Sequence, residues 1–326
     1  NFTIPLNEIM NGEITIDDAQ LQFDNNLYFN INKAEKISVL SINMSDDSFL
    51  KRIYTDTEFN YSSVKMNQLN YSDIDKQNLI LLNELDEVTN ALATALNSFI
   101  TNGGYVIVIP SEDISIASYN NLLLQSGIGF SAQIPTEKKI TTINYSHPLY
   151  SNVFDKRVDN FQYPKVNSYY TFQTEKASNI LQFEDGKSFL TNGNNLFVFA
   201  SALNSKNSNF KNSPLIVPTL YNIAKRSFQI SNLYYIIGEE NNFDVNVTLQ
   251  QDEILSLEKV DINLIPQQQY FNNKVSITTN EVPNSAGIYA IKNKTATIQN
   301  ISYNYSRLES NLIYQDISSL NNIIKN

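Results

Sequence analysis

The chain is 326 residues long, 42% hydrophobic and 17% charged, the proportions of a folded protein with room for two or three domains. A net charge of -10 without any run of Lys or Arg excludes nucleic acid, whose binding is driven by counterion release, and disfavours adhesion to an anionic membrane surface. The absence of Cys removes disulfides, thiolate metal sites and cysteine nucleophiles together.

No apolar run approaches the ~20 residues needed to span a bilayer. The sequence opens at Asn1-Phe2 with neither Met nor a signal peptide, so the expectation is a fragment of a longer protein, with any membrane segments outside it. Glu13–Ile16 and Leu27–Ile31 alternate in polarity and read as strands. They belong to a unit of their own, 1–34. Either they end a preceding β-domain or they complete a later one, and sequence leaves both open.

A second unit, 35–229, carries a strand–helix rhythm. Ile37–Ile42 is a buried-type strand, and Ser45-Asp46-Asp47 predicts a helix start capped by Ser45. Phe49, Leu50, Ile53 and Tyr54 form that helix's apolar face. Strands follow at Phe59–Met66 and Leu79–Leu82. Val88, Leu92, Leu96 and Phe99 predict a helix ending at Gly103-Gly104, then a strand at Val106–Ile109. Another helix carries Tyr119, Leu122 and Leu123 and stops at Gly127. Residues 128–192 read as an insertion of irregular and β structure. A fifth strand, Leu196–Ala200, leads to a helix opening at Ser213-Pro214 and kinked at Pro218. The pattern predicts an open, mostly parallel α/β sheet covered on both faces.

From about Asn232 the period becomes two. Phe243, Val245, Val247 and Leu249 alternate with Asp244, Asn246 and Thr248, and further strands follow a turn at Pro283–Gly287. This third unit, 230–326, predicts an antiparallel β-sandwich.

Chemistry is sparse. His147 is the lone histidine, in Ser146-His147-Pro148-Leu149. With no second histidine a zinc site is unusual, and no G-x-S-x-G elbow accompanies a serine. A structural histidine ahead of a proline accounts for it. Asp17-Asp18, Asp46-Asp47 and Glu239-Glu240 are adjacent in sequence and so do not face each other; helix-start and loop acids explain them. No calcium loop and no phosphate-binding glycine motif occurs. No cofactor and no metal is expected. A ligand rim remains, because doubly wound sheets bind beyond the carboxyl ends of their strands. That rim would carry Asn83, Glu84, Ser111, Glu112 and Ser201, with His147 reaching it.

Lys36–Ile42, Leu79–Leu85, Gly103–Ser111, Ser146–Leu149 and Asn195–Pro218 together resemble a degenerate class I glutamine amidotransferase-like domain. In that fold a flavodoxin-like sheet carries a Cys nucleophile just after a strand, and this chain lacks Cys at every position, so the resemblance implies the fold without the activity. Asp24–Phe29 resembles the D-N-x-x-Y-F stretch of BatA-type aerotolerance proteins. Ala286–Tyr289 and Asn304–Leu312 resemble that family's closing motifs. The resemblance implies a membrane-anchored protein with its bulk on the periplasmic face of the bacterial inner membrane, acting as a non-catalytic scaffold. Its implied partners are other Bat-type membrane proteins with von Willebrand A domains, and associated ATPases. A ligand-binding module for a sugar or peptide at the sheet's carboxyl edge is the alternative, since aromatics, 11% of residues, stack on sugars. A hydrolase using Ser111 or Ser201 with His147 is the third, weakest reading.

Overall fold

The computed structural model describes residues 8–17, 25–33, 35–150, 162–174 and 177–307. Two compact units emerge. One joins 1–34 with 230–270 and 274–326; the other holds 35–229 with Phe271–Asn273. Asp18, Asp24 and Leu308–Leu312, named above, lie outside the described residues.

The chain begins with β1 (Met10–Thr15) and β2 (Asn26–Ile31), an antiparallel pair in the first unit. The α/β unit follows with β3 (Ile37–Asn43), α1 (Ser48–Ile53), β4 (Phe59–Lys65), β5 (Leu79–Leu85), α2 (Asn90–Thr101), β6 (Tyr105–Pro110) and α3 (Ile116–Leu123). Next come β7 (Ile128–Ile134), β8 (Lys138–Ile143), β9 (Lys165–Val166), β10 (Tyr169–Thr174), β11 (Ser178–Phe183), β12 (Ser188–Gly193), β13 (Leu196–Phe199) and α4 (Ile216–Ser227).

The order β4-β3-β5-β6-β13 is parallel throughout, and β12, β11, β8 and β9 extend it antiparallel into a nine-stranded sheet. Parallel pairing is therefore confined to one half of the sheet. The reason is connection length: parallel neighbours need crossovers, whereas residues 178–199 return directly in tight hairpins. The remaining pair, β7 and β10, forms its own antiparallel ribbon.

Apolar runs make the inner parallel strands β5, β6 and β13 because both their faces are covered. Leu79 and Leu81 of β5 enter one core with Leu50, Leu220 and Ile223; Ile80 and Leu82 enter the other with Leu92, Leu96 and Tyr119. Gly103, at φ +83°, ends α2 in the left-handed conformation that a Cβ disfavours.

Two local expectations are corrected. Asp47, not Ser45, stands at the cap of α1, and its side chain makes no capping bond. Its carboxylate instead accepts the Tyr61 hydroxyl at 2.9 Å and pairs with Lys51 at 3.2 Å, so tertiary contacts take the group a cap would need. Pro218 is the third residue of α4. First-turn amides have no acceptor within the helix, so the proline removes no bond and the reason for a kink disappears.

The chain closes with β14 (Tyr235–Ile236), β15 (Asn241–Val245), β16 (Leu255–Lys259), β17 (Ile262–Leu264), β18 (Gln267–Tyr270), β19 (Val275–Thr279), β20 (Gly287–Asn293) and β21 (Ala296–Asn304). A five-stranded sheet, β14-β21-β20-β16-β17, and a three-stranded sheet, β15-β19-β18, share one core of Phe243, Val245, Leu257, Ile277, Tyr289, Ile291 and Tyr303. The unit is β-rich, and its sheets are antiparallel except for the β14–β21 pair, which is parallel. Alternation fails at Asp244, which its period places on the wet face and which is only 5% exposed. Lys274 pairs with it at 2.8 Å, which offsets the cost of burying the charge.

The N-terminal strands join this unit through asparagine side chains. Asn304 donates to the Tyr28 carbonyl and accepts from its amide, both at 2.8 Å, substituting for a neighbouring strand's backbone. Asn30 donates to the Asn300 carbonyl at 2.7 Å and accepts from Ser302, while Asn32 bonds both the amide and the carbonyl of Asn300. Among the described residues, no helix is long and apolar enough to cross a membrane.

Candidate functional site

The carboxyl ends of the parallel strands meet a cleft of about 450 Å³. Its walls come from the segment after β3 (Ser45 to Arg52), from Glu112 after β6, and from the loop after β13 (Leu203 to Asn212). The topology creates it, because these three connections leave the same edge of the sheet.

Glu84 holds the loop in place. It sits at the end of β5 with φ +57°, where the β5–β6 register slips between Asn83 and Leu85. A glutamate in the left-handed region is strained by roughly 1–2 kcal/mol. The compensation is visible: the buried carboxylate accepts the Leu203 amide at 2.9 Å and the Asn204 side-chain amide at 3.0 Å. That same Asn204 nitrogen donates to Glu112 at 3.0 Å, and the Asn204 oxygen accepts the amides of Lys206 and Asn207. One strained acid thereby organises the loop that walls the cleft. It is a positioning residue.

Asn83, fully buried, donates to the Asn43 oxygen at 2.9 Å; Asn43 in turn donates to Ser63 at 3.0 Å, tying β5, β3 and β4 together just below the rim. Ser111 and Ser201 lie at strand ends as expected, but both hydroxyls are occupied. Ser111 bonds the Asp113 carbonyl and amide, and Ser201 the Ala202 carbonyl.

His147 does not reach the rim. Strand β8 runs antiparallel to β13, so the turn after it emerges at the opposite, amino edge. There the imidazole faces Asn192 and Arg226, and its Nδ1 accepts the Leu149 amide at 3.2 Å. Burial pushes its pKa down, with Arg226 adding to the effect and Asn192 opposing it. No hydrogen bond joins it to Ser111 or Ser201, which removes the geometric basis of the serine-hydrolase reading. Among the described residues, no group of three His, Asp or Glu is placed to hold a metal ion.

Sequence reasoning missed the cleft's cations. Lys211 lies with its ammonium 4.2 Å from the centre of the Phe49 ring; burial lowers its pKa, opposed by Glu84 and Asp46. Arg52 and Lys206 complete the set. A signal was available, since Lys206 and Lys211 are the two charges in a Ser- and Asn-rich stretch that follows a strand.

No protein-family model matches the chain, and no curated protein does either. Solved structures to which the chain is similar include a ThuA-like protein from Bacteroides uniformis, at 12% identity and a TM-score of 0.45, covering 61% of this chain and 95% of that one. A GMP synthase-type protein from Thermoplasma acidophilum shares 7% identity at a TM-score of 0.41, covering 59% and 94%. Alpha-L-fucosidase isoenzyme 2 from Paenibacillus thiaminolyticus shares 8% at 0.42, covering 76% and 47%. The chain is a mixed α/β protein with a large, partly parallel sheet and a β-rich unit of antiparallel sheets.

Proposed function

We propose that the α/β unit is a non-catalytic binding module that takes a small polar ligand in the cleft after β3, β6 and β13. The observation that carries this reading is the cleft: its volume suits a small molecule, and polar groups from three separate loops converge on it. Beside it stand two serines already bonded to backbone and no histidine. The strand order β4-β3-β5-β6-β13 supports a flavodoxin-like, degenerate glutamine amidotransferase-like framework in which the nucleophile has been lost. Stacking of a sugar ring gains little support, because Phe49, the aromatic in the wall, has Lys211 over its ring.

The test is a screen of polar small molecules by amide-resolved NMR on the intact chain. Shifts should cluster in residues 45–52 and 203–212. A ligand whose shifts map elsewhere, or a screen without a hit, would remove the proposal.

A second reading, an exported scaffold of a BatA-type membrane protein working beside von Willebrand A-domain partners, draws on one observation. Tyr28 and Asn304, from the two ends of the chain that carry the resemblance, hydrogen-bond to each other's segment. Crosslinking and affinity capture of the full-length protein from its native cells tests it. Reproducible recovery of Bat-type proteins supports the scaffold, and recovery of abundant envelope proteins alone counts against it.

A further inference from the structure

We infer that the cleft's ligand is an anion, a hydroxylated small molecule bearing a phosphate or a carboxylate, with Arg52, Lys206 and Lys211 as the groups that hold it. The inference rests on the binding-module reading and adds the ligand's chemistry.

The argument is a balance of donors and acceptors. Arg52, Lys206 and Lys211 line one concavity, and none of the three makes an ion pair or a side-chain hydrogen bond among the described residues. Each ammonium offers three N–H donors and the guanidinium five. The acids nearby are already engaged with protein donors: both oxygens of Glu84 accept from the loop, Glu112 accepts from Asn204, and Asp46 accepts the Ser48 hydroxyl at 2.6 Å. The cleft therefore presents more unspent donors than unspent acceptors. An acceptor-rich ligand fits that surplus, and phosphate and carboxylate are the acceptors that guanidinium and ammonium groups bind best.

Net charge sharpens the point. A chain of charge -10 repels anions at long range, so cations gathered in one concavity run against its overall electrostatics. Lys211 is the most telling of the three. It is partly buried, and burial favours its neutral form, yet the ring under it stabilises the ammonium. The mixed signs also argue against a bare inorganic ion. Asp46 and Glu112 at the margin have lone pairs suited to ligand hydroxyls, so a ligand carrying both an anion and hydroxyl groups satisfies the whole wall.

The experiment titrates the intact chain with glucose 6-phosphate, glucuronate, inorganic phosphate and neutral glucose, at low and at physiological salt. Binding is read by calorimetry and NMR. The expected result is that glucose 6-phosphate or glucuronate binds at least tenfold more tightly than glucose. The affinity should weaken with salt and fall at least tenfold in the triple variant R52M/K206M/K211M. These residues are exposed or half-buried, and an unchanged NMR spectrum of the free variant confirms its fold. Equal binding of glucose overturns the anion assignment and leaves the cleft as a ligand site. Anion binding that the triple variant does not weaken overturns it as well, since the ion is then held elsewhere. Failure of every probe, charged and neutral, removes the inference together with the binding-module reading.

Discussion

Two regions of this molecule are rich in buried polar side chains, and they use them to opposite ends. In the β-rich unit, Asn304 and Asn32 are bonded to backbone, Asn30 to backbone and to the Ser302 hydroxyl, and Lys274 is paired with Asp244. At the rim of the α/β unit, Glu84 and Asn204 are equally saturated, but the cations beyond them are not. Polar burial alone thus does not mark a site. A region whose donors and acceptors balance internally is a structural seam; one whose balance is left open toward solvent is a candidate for recognition.

The contrast can be broken by mutation, beginning with the largest effect. Lys274→Met leaves the Asp244 carboxylate buried without its cation, and should cost about 3–5 kcal/mol in urea denaturation. Asn304→Ala strands the Tyr28 amide and carbonyl, an expected loss of about 2–3 kcal/mol by the same measurement. A negligible loss in either would show that these contacts are ornamental. Glu84→Ala should cost about 2 kcal/mol and disperse the NMR signals of residues 203–208. Glu84→Gly, which relieves the positive φ, should be about 1 kcal/mol less damaging than the alanine. If alanine and glycine were equivalent, backbone strain at this position would have to be dismissed.

At the other extreme, Lys211→Met should change stability by no more than about 0.5 kcal/mol, because no ion pair is lost; a large effect would make Lys211 a seam residue like Lys274. The smallest effect is electrostatic. Burial depresses the His147 pKa, so the folded state disfavours its proton. Its contribution to stability is complete above the unfolded value near 6.5 and is lost as pH falls through the folded value. Denaturation of the native chain and of His147→Gln between pH 7 and pH 5 checks the sign. The native protein should lose more stability over that interval.

Much of the fold was legible because burial leaves a periodic trace. Leu79–Leu82, Val106–Ile109 and Leu196–Phe199 are continuous apolar runs, Ile37–Ile42 is apolar but for Ser38 and Ser41, and each is a parallel strand. The alternation at Phe243 and Val245 likewise marks a strand, β15. What periodicity could not carry was strand direction in 128–192. An antiparallel return and a parallel crossover bury the same residue types, so half of the large sheet turned out antiparallel.

The rim divides along the same line. Sequence alone determined that Asn83, Glu84, Ser111, Glu112 and Ser201 stand at or just beyond strand ends, that no Cys exists, and that only one histidine is available. Those are properties of residue type and neighbour, which a linear chain already contains. The tertiary structure decided that His147 leaves by the opposite edge, that Glu84 is bent to clamp the loop after β13, and that Arg52, Lys206 and Lys211 share one cleft. Arg52 and Lys211 are far apart along the chain, and no local preference brings them together. Only the right-handed winding of parallel strands delivers both of their loops to one edge of the sheet.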